Sequence, residues 1–271
     1  MKRRRRVLLI LGVALVVAAA TGLTVGRWLR SGAVAAPDTC VITALGRSVG
    51  LEPQQVTNAA TIAAVGGRRG LPAHAVTVAL TAALQESKLR NLPYGDRDSV
   101  GLFQQRPSQG WGTPAQIIDP RYAAGRFYAR LALVSGWQEL PVAEAAQRVQ
   151  RSADGSAYAV WESPARAMAE GLTGHAGAAV ACKIRRVGGD PAGLPAAALT
   201  DFGAHALDRP VVDPVRGWSV AGWLVAHART YRLVGVSYLG RTWSPSTGAW
   251  KGGGAADQRV RYVIGPAPKK S

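Results

Sequence analysis

The stretch Leu84-Gln-Glu-Ser-Lys-Leu89, followed after 11 residues by Gly101-Leu-Phe-Gln-Gln105 and then Pro107, decides how this chain is read. Ahead of it Val76, Leu80, Ala83 and Leu84 recur at helical spacing, which predicts a helix from about Pro72 to Leu89 with one apolar stripe. Glu86 falls near the end of that helix, three or four residues after Ala82 and Ala83, so it flanks the stripe instead of facing water outright. Desolvation disfavours the charged form of a half-buried carboxyl, and a carboxyl that keeps its proton near neutral pH is what a general acid needs. An ordinary ion pair with Lys88 or Arg90 is the alternative for the same residue. Between the two segments Asn, Pro, Gly and Asp cluster over residues 91–114 and point to turns with a small hairpin.

Outward from this centre, residues 40–183 read as mostly helical. Asp119 is a candidate N-cap, Pro120 and Pro141 suit first-turn positions, Gly136 suits a stop, and Ala123, Phe127, Leu131 and Val134 form one apolar face. Residues 184–200 shift to Gly, Pro and Ala and read as a linker. Residues 201–271 read as a small α/β module with a frayed tail, with a helix around Val220 to Tyr231 and strand-like runs at Leu233 to Leu239 and Arg259 to Ile264.

The chain carries a formal charge of +17 over 271 residues, which by itself suggests a polyanionic partner. Seven of the basic residues, Lys2, Arg3 to Arg6, Arg27 and Arg30, lie in residues 1–30, where there is no acid. They flank an uncharged run from Val7 to Gly26 that is long enough to cross a bilayer. Residues 1–30 are therefore expected to be a basic cytoplasmic stub and membrane anchor through residues 7–26, with 31–39 as a tether and the remainder outside the cytoplasm. A cleaved signal peptide ending near Ala36 is the competing reading, and both place the body in an extracytoplasmic compartment. One span excludes a transporter, and an exported chain without a nucleic-acid-binding motif is not expected to meet nucleic acid. Export also makes a Cys40–Cys182 disulfide the expected state of the only two cysteines, with two buried free thiols as the alternative. Neither cysteine has metal-ligand spacing, the histidines at 74, 175, 205 and 227 are scattered, and no metal or cofactor is expected.

The quoted pair of motifs resembles the Glu-Ser and Gly-Leu-Phe/Met-Gln signatures of the lysozyme-like lytic transglycosylases. Tyr94 to Trp111 is similar, nearly throughout, to a stretch in lysozyme-like extracytoplasmic proteins of actinobacteria, some of which carry a heavy-metal or cobalt transporter label. The resemblance covers about residues 50–183. It implies that Glu86 is the catalytic acid toward the bond between N-acetylmuramic acid and N-acetylglucosamine of peptidoglycan. It also implies that Ser87 fixes the local backbone, that Gly101 admits backbone to the sugar and that Gln104 or Gln105 lines the cleft. Lytic transglycosylases manage with one carboxyl because the sugar's own 6-hydroxyl attacks, whereas hydrolysis uses two. Asp96 and Asp98 are candidates for a second carboxylate, or ordinary turn formers. The family's Ala-Tyr-Asn-Ala-Gly segment corresponds here to Ala145 to Ser152 without the asparagine, leaving Tyr158 either over the cleft or in the core.

Trp223-Leu-Val-Ala-His-Ala228 and Gly240-Arg-Thr-Trp243 resemble the C-terminal domain attached to such proteins, while Asp257 to Tyr262 lacks its closing histidines. Trp218, Trp223, Trp243 and Trp250 suit either a sugar-stacking surface or a core. The expected fold class is thus a mainly α lysozyme-like domain with a small β element, a small C-terminal α/β domain and a single N-terminal transmembrane helix. The expected function is cleavage of peptidoglycan glycan strands. A catalytically inactive wall-binding or scaffold protein is the alternative.

Overall fold

The computed structural model describes residues 37–152, 155–185 and 187–267. The described residues from Asp38 onward form one compact unit. Its strands are β1 (Thr39–Ala44), β2 (Arg47–Leu51), β3 (Val180–Lys183), β4 (Leu233–Tyr238), β5 (Arg241–Ser244), β6 (Ala249–Gly252) and β7 (Arg261–Ile264). Its helices are α1 (Pro53–Arg68), α2 (Ala73–Ser87), α3 (Pro114–Ile117), α4 (Pro120–Leu131), α5 (Val142–Gln150), α6 (Ser156–Leu172), α7 (Leu194–Phe202) and α8 (Pro214–Ala226).

The expected fold class needs correction. In place of a mainly helical domain with one small β element, the described residues form a mixed α/β body with eight helices and seven strands in two antiparallel sheets, ordered β2-β1-β3 and β6-β5-β4-β7. The expected membrane-spanning helix at residues 7–26 lies outside the described residues, and among those no helix is long and apolar enough to cross a membrane. The physical reason for the first difference is visible in β1. Cys40, Ile42 and Ala44 point inward and alternate with exposed neighbours, a period of two too short to stand out beside the long helical runs. The two-residue turn joining β1 to β2 takes left-handed conformations at Leu45 (φ 52°) and Gly46 (φ 70°), and leucine is not the residue that normally announces such a turn.

Helix α2 is the central element, and it is buried on all sides. Every residue from Ala75 to Leu84 is buried, more than the single expected stripe, and α6, α5, α1 and α4 pack around it. Small residues on α2 let those helices approach closely. Asp119 caps α4 as expected, accepting from the N–H groups of Arg121 and Tyr122.

The second sheet is joined to the first through tryptophans. Trp243 and Trp250 face each other across β5 and β6, and their indole N–H groups donate to Cys182 O (3.2 Å) and Val180 O (2.8 Å) of β3. The outer edge of β3 is thereby covered, which removes an exposed template for strand pairing. Trp243 and Trp223 are packed inside the body, while Trp250 and Trp218 are partly buried against it. Cys40 and Cys182 stand opposite one another across β1 and β3 and form a disulfide.

Residues 184–200 include a 3₁₀ turn at Pro191–Gly193 and most of α7. In the last turn of α7 lies Asp201, 2% exposed, whose carboxylate accepts from Arg121 Nε (2.6 Å), Arg121 Nη2 (2.8 Å) and Trp223 Nε1 (2.9 Å). His227 stacks on Trp223 with ring centroids 4.1 Å apart, and its Nδ1 lies 2.8 Å from Trp223 O. Burial pushes the His227 imidazole down to about 4, against a partial opposing effect of its bond to Trp223 O. The unfolded chain, with histidine near about 6.5, therefore takes up the proton first as pH falls. Stability present above about pH 6.5 is expected to drain away toward pH 4, by on the order of 3 kcal/mol. Urea unfolding across this window checks it, and His227→Gln should flatten that slope.

Candidate active site

Glu86 sits half-buried on the last turn of α2, and the turn is fixed from several sides. The chain becomes left-handed at Lys88 (φ 55°) and Leu89 (φ 61°), and the Leu89 N–H reaches back to Ala83 O at 3.1 Å. Helix α1 satisfies the two carbonyls beyond the turn, through Gln55 Nε2 to Lys88 O (2.7 Å) and Asn58 Nδ2 to Leu89 O (2.8 Å). Ser87 is buried, with its hydroxyl 2.7 Å from Leu102 O and 3.1 Å from Ala83 O. It ties the end of α2 to the loop carrying Gly101 to Gln105.

That loop contains no extended strand. It makes only isolated bridges, Leu92 with Gly101 and Val100 with Gln105, around a turn. Gly101 has φ +81°, and a Cβ there would stand 2.8 Å from the backbone oxygen of Ile117. Glycine is thus required by the approach of α3, whatever else the loop meets. Gly101→Ala is expected to cost about 2 to 3 kcal/mol in urea unfolding, combining left-handed backbone strain with a contact that backbone cannot relieve.

The two glutamines diverge. Gln104 is partly exposed, itself left-handed, and its Nε2 lies 3.3 Å from Tyr94 O and 3.2 Å from Gly101 O. Gln105 is 1% exposed and points into the core, where its Nε2 donates to Ala123 O at 3.1 Å.

Helix α6 supplies the other wall. The Tyr158 hydroxyl donates to Glu86 Oε1 at 2.6 Å, and one turn on, Trp161 Nε1 donates to Gln85 Oε1 at 2.7 Å. Lys88 Nζ lies 4.1 Å from the centroid of the Trp161 ring. Burial, and then the bond to Glu86, hold the Tyr158 hydroxyl well above the ordinary tyrosine range, so it stays a donor. Tyr158 and Trp161 share a helical face, and their neighbours Gln85 and Lys88 flank the Glu86-Ser87 pair; that symmetry was the available signal for Gln85 and Lys88.

The candidate second carboxylates serve otherwise. Asp98 accepts from Arg106 Nε (2.7 Å), from the Ser108 N–H (2.8 Å) and from the Ser108 hydroxyl (3.0 Å), which together hold it well below the usual carboxylate range. Asp96 is exposed in the same loop, 4.0 Å from Arg97 Nε. In the Ala145 to Ser152 segment, Gln150 donates from Nε2 to Phe103 O at 2.8 Å, a brace on the Gly101 loop that sequence reading missed. The arrangement presents one partly buried carboxyl with one oxygen oriented by a phenol, on a backbone braced from α1, α5 and α6. No protein-family model matches the chain, and no curated protein matches it.

Proposed function

We propose that this protein cleaves the glycosidic bond between N-acetylmuramic acid and N-acetylglucosamine in peptidoglycan, by lytic transglycosylation with Glu86 as the general acid. The observation that carries the reading is the 2.6 Å hydrogen bond from Tyr158 to Glu86 Oε1. It engages one carboxyl oxygen and leaves Oε2 to hold the proton for the glycosidic oxygen. Protonation of that oxygen releases the N-acetylglucosamine hydroxyl as the bond to C1 of the muramic sugar breaks. The ionised Glu86 then takes the proton of the sugar's 6-hydroxyl as that oxygen bonds to C1, which closes a 1,6-anhydro ring and returns the acid. The occupied state of Asp98 favours this one-carboxyl route over hydrolysis with a second carboxylate. The Cys40–Cys182 disulfide fits an oxidising, extracytoplasmic setting where peptidoglycan is found.

Mass spectrometry of digested glycan strands tests the reading: 1,6-anhydro-muramyl ends are expected. Reducing ends would identify a hydrolase, and retention on insoluble wall without any cleavage would leave a binding protein. Tyr158 acts here as a positioning residue. Tyr158→Phe keeps the ring and removes the bond, so kcat is expected to fall about tenfold to a hundredfold with KM little changed.

A further inference from the structure

We infer that a second groove, at the end of α2 opposite Glu86, binds a small organic carboxylate carried on a compact apolar body. The groove encloses about 400 Å³ between the end of α1, the start of α2, the end of α6 and the first turns of α8. That volume falls within the range of about 300 to 1,000 Å³ usual for small-molecule sites. It is separate from the Glu86 site: Ala73 of its lining and Glu86 share one helix, about 20 Å apart at about 1.5 Å rise per residue.

The lining divides into an apolar wall and a cationic end. Ala63, Ala64, Leu71, Phe202 and Val215 form the wall. Arg68 of α1 and Arg216 of α8 converge on one peptide unit at the end of α7. Arg216 Nη2 donates to Phe202 O at 2.6 Å, and a Cβ placed on Gly203 would stand 3.1 Å from Arg68 Nη1. Arg216 uses one donor there and Arg68 uses none, and neither has a carboxylate partner among the described residues.

The two carboxylates in the lining are already engaged. Asp201 is held by Arg121 and Trp223, and Asp213 caps α8 by accepting from the N–H groups of Val215 and Arg216. The C-terminus of α7 contributes only a fraction of a negative charge, roughly −0.5, against two guanidiniums. What the groove lacks is therefore an anion with the planar fork that guanidinium matches. A bare inorganic anion would leave the apolar wall wet, and a neutral apolar molecule would leave the guanidiniums unmatched. A carboxylate on a small apolar body satisfies both.

Calorimetric titration of the full-length chain with hydrocinnamate, its neutral amide and inorganic phosphate tests this, and it does so independently of the glycosidase reading. One-to-one binding of hydrocinnamate is expected, with Kd about tenfold weaker in Arg68→Gln and for the amide. The Arg68 side chain makes no hydrogen bond among the described residues, so Arg68→Gln should melt like the wild type. Glu86→Gln should bind hydrocinnamate as the wild type does. The inference is overturned if hydrocinnamate does not bind, if the amide or phosphate binds as tightly, if Arg68→Gln leaves Kd unchanged, or if Glu86→Gln abolishes binding.

Discussion

Glu86→Gln is expected to lose about a thousandfold in the release of anhydro-muropeptides from purified glycan strands while the protein melts at the wild-type temperature. The reasoning separates structure from chemistry. A glutamine oxygen can still accept from the Tyr158 hydroxyl, which stands 2.6 Å from Oε1, and the turn remains held by Ser87, Gln55 and Asn58. What disappears is the acid group that the proposed mechanism uses to transfer a proton. Substrate binding should be retained, so the loss should fall on kcat. A variant that cleaves at the wild-type rate would remove Glu86 from the mechanism. An inactive wild type that still sediments with wall would make the protein a binder.

Asp201→Ala is expected to be strongly destabilising, at about 4 kcal/mol in urea unfolding. It strands the Arg121 guanidinium and the Trp223 indole N–H together, and both of these face a carboxylate that is almost wholly inside the protein. Arg121 keeps partial access to water, which holds the cost below that of a fully enclosed charge. At about 2 to 4 °C per kcal/mol for a body of this size, the melting temperature should drop by roughly 10 °C. Removing both charges, as Asp201→Leu with Arg121→Met, should recover much of the loss, because the ionic pair would give way to apolar packing.

Part of the helical frame was legible because some helices carry their own signals, whereas most of α7 lies within the Gly, Pro and Ala stretch expected to be a linker. The stripe ahead of Glu86 located α2, and Asp119 followed by Pro120 marked the start of α4. Asp213 and Pro214 gave the same signal for α8, although the helix was read from Val220 onward. Strands depend on partners far away. β3 is four residues long and acquires its meaning only when it pairs with β1, some 140 residues earlier, so no local pattern reports it. Glu86, Ser87 and Gly101 were picked out by their motifs, while Tyr158, 1% exposed, takes the core alternative and reaches Glu86 from there. Which of Gln104 and Gln105 turns outward could not be read, because the left-handed conformation at Gln104 breaks the alternation that a strand would impose. The bonds that occupy Asp98 were likewise hidden, since Arg106 and Ser108 look like ordinary loop residues until the turn brings them together.

The link between Cys40 and Cys182 also determines how the body carries mechanical force. Tension applied between the chain near Asp38 and the C-terminal half passes from β1 through the sulfur bridge directly into β3. The residues enclosed between the two cysteines, which include Glu86, Gly101 and Tyr158, then lie off the loaded path. A pull on this protein would stretch its ends without extending the segment that holds the candidate site, and a single backbone cut inside that segment would leave the two pieces covalently joined.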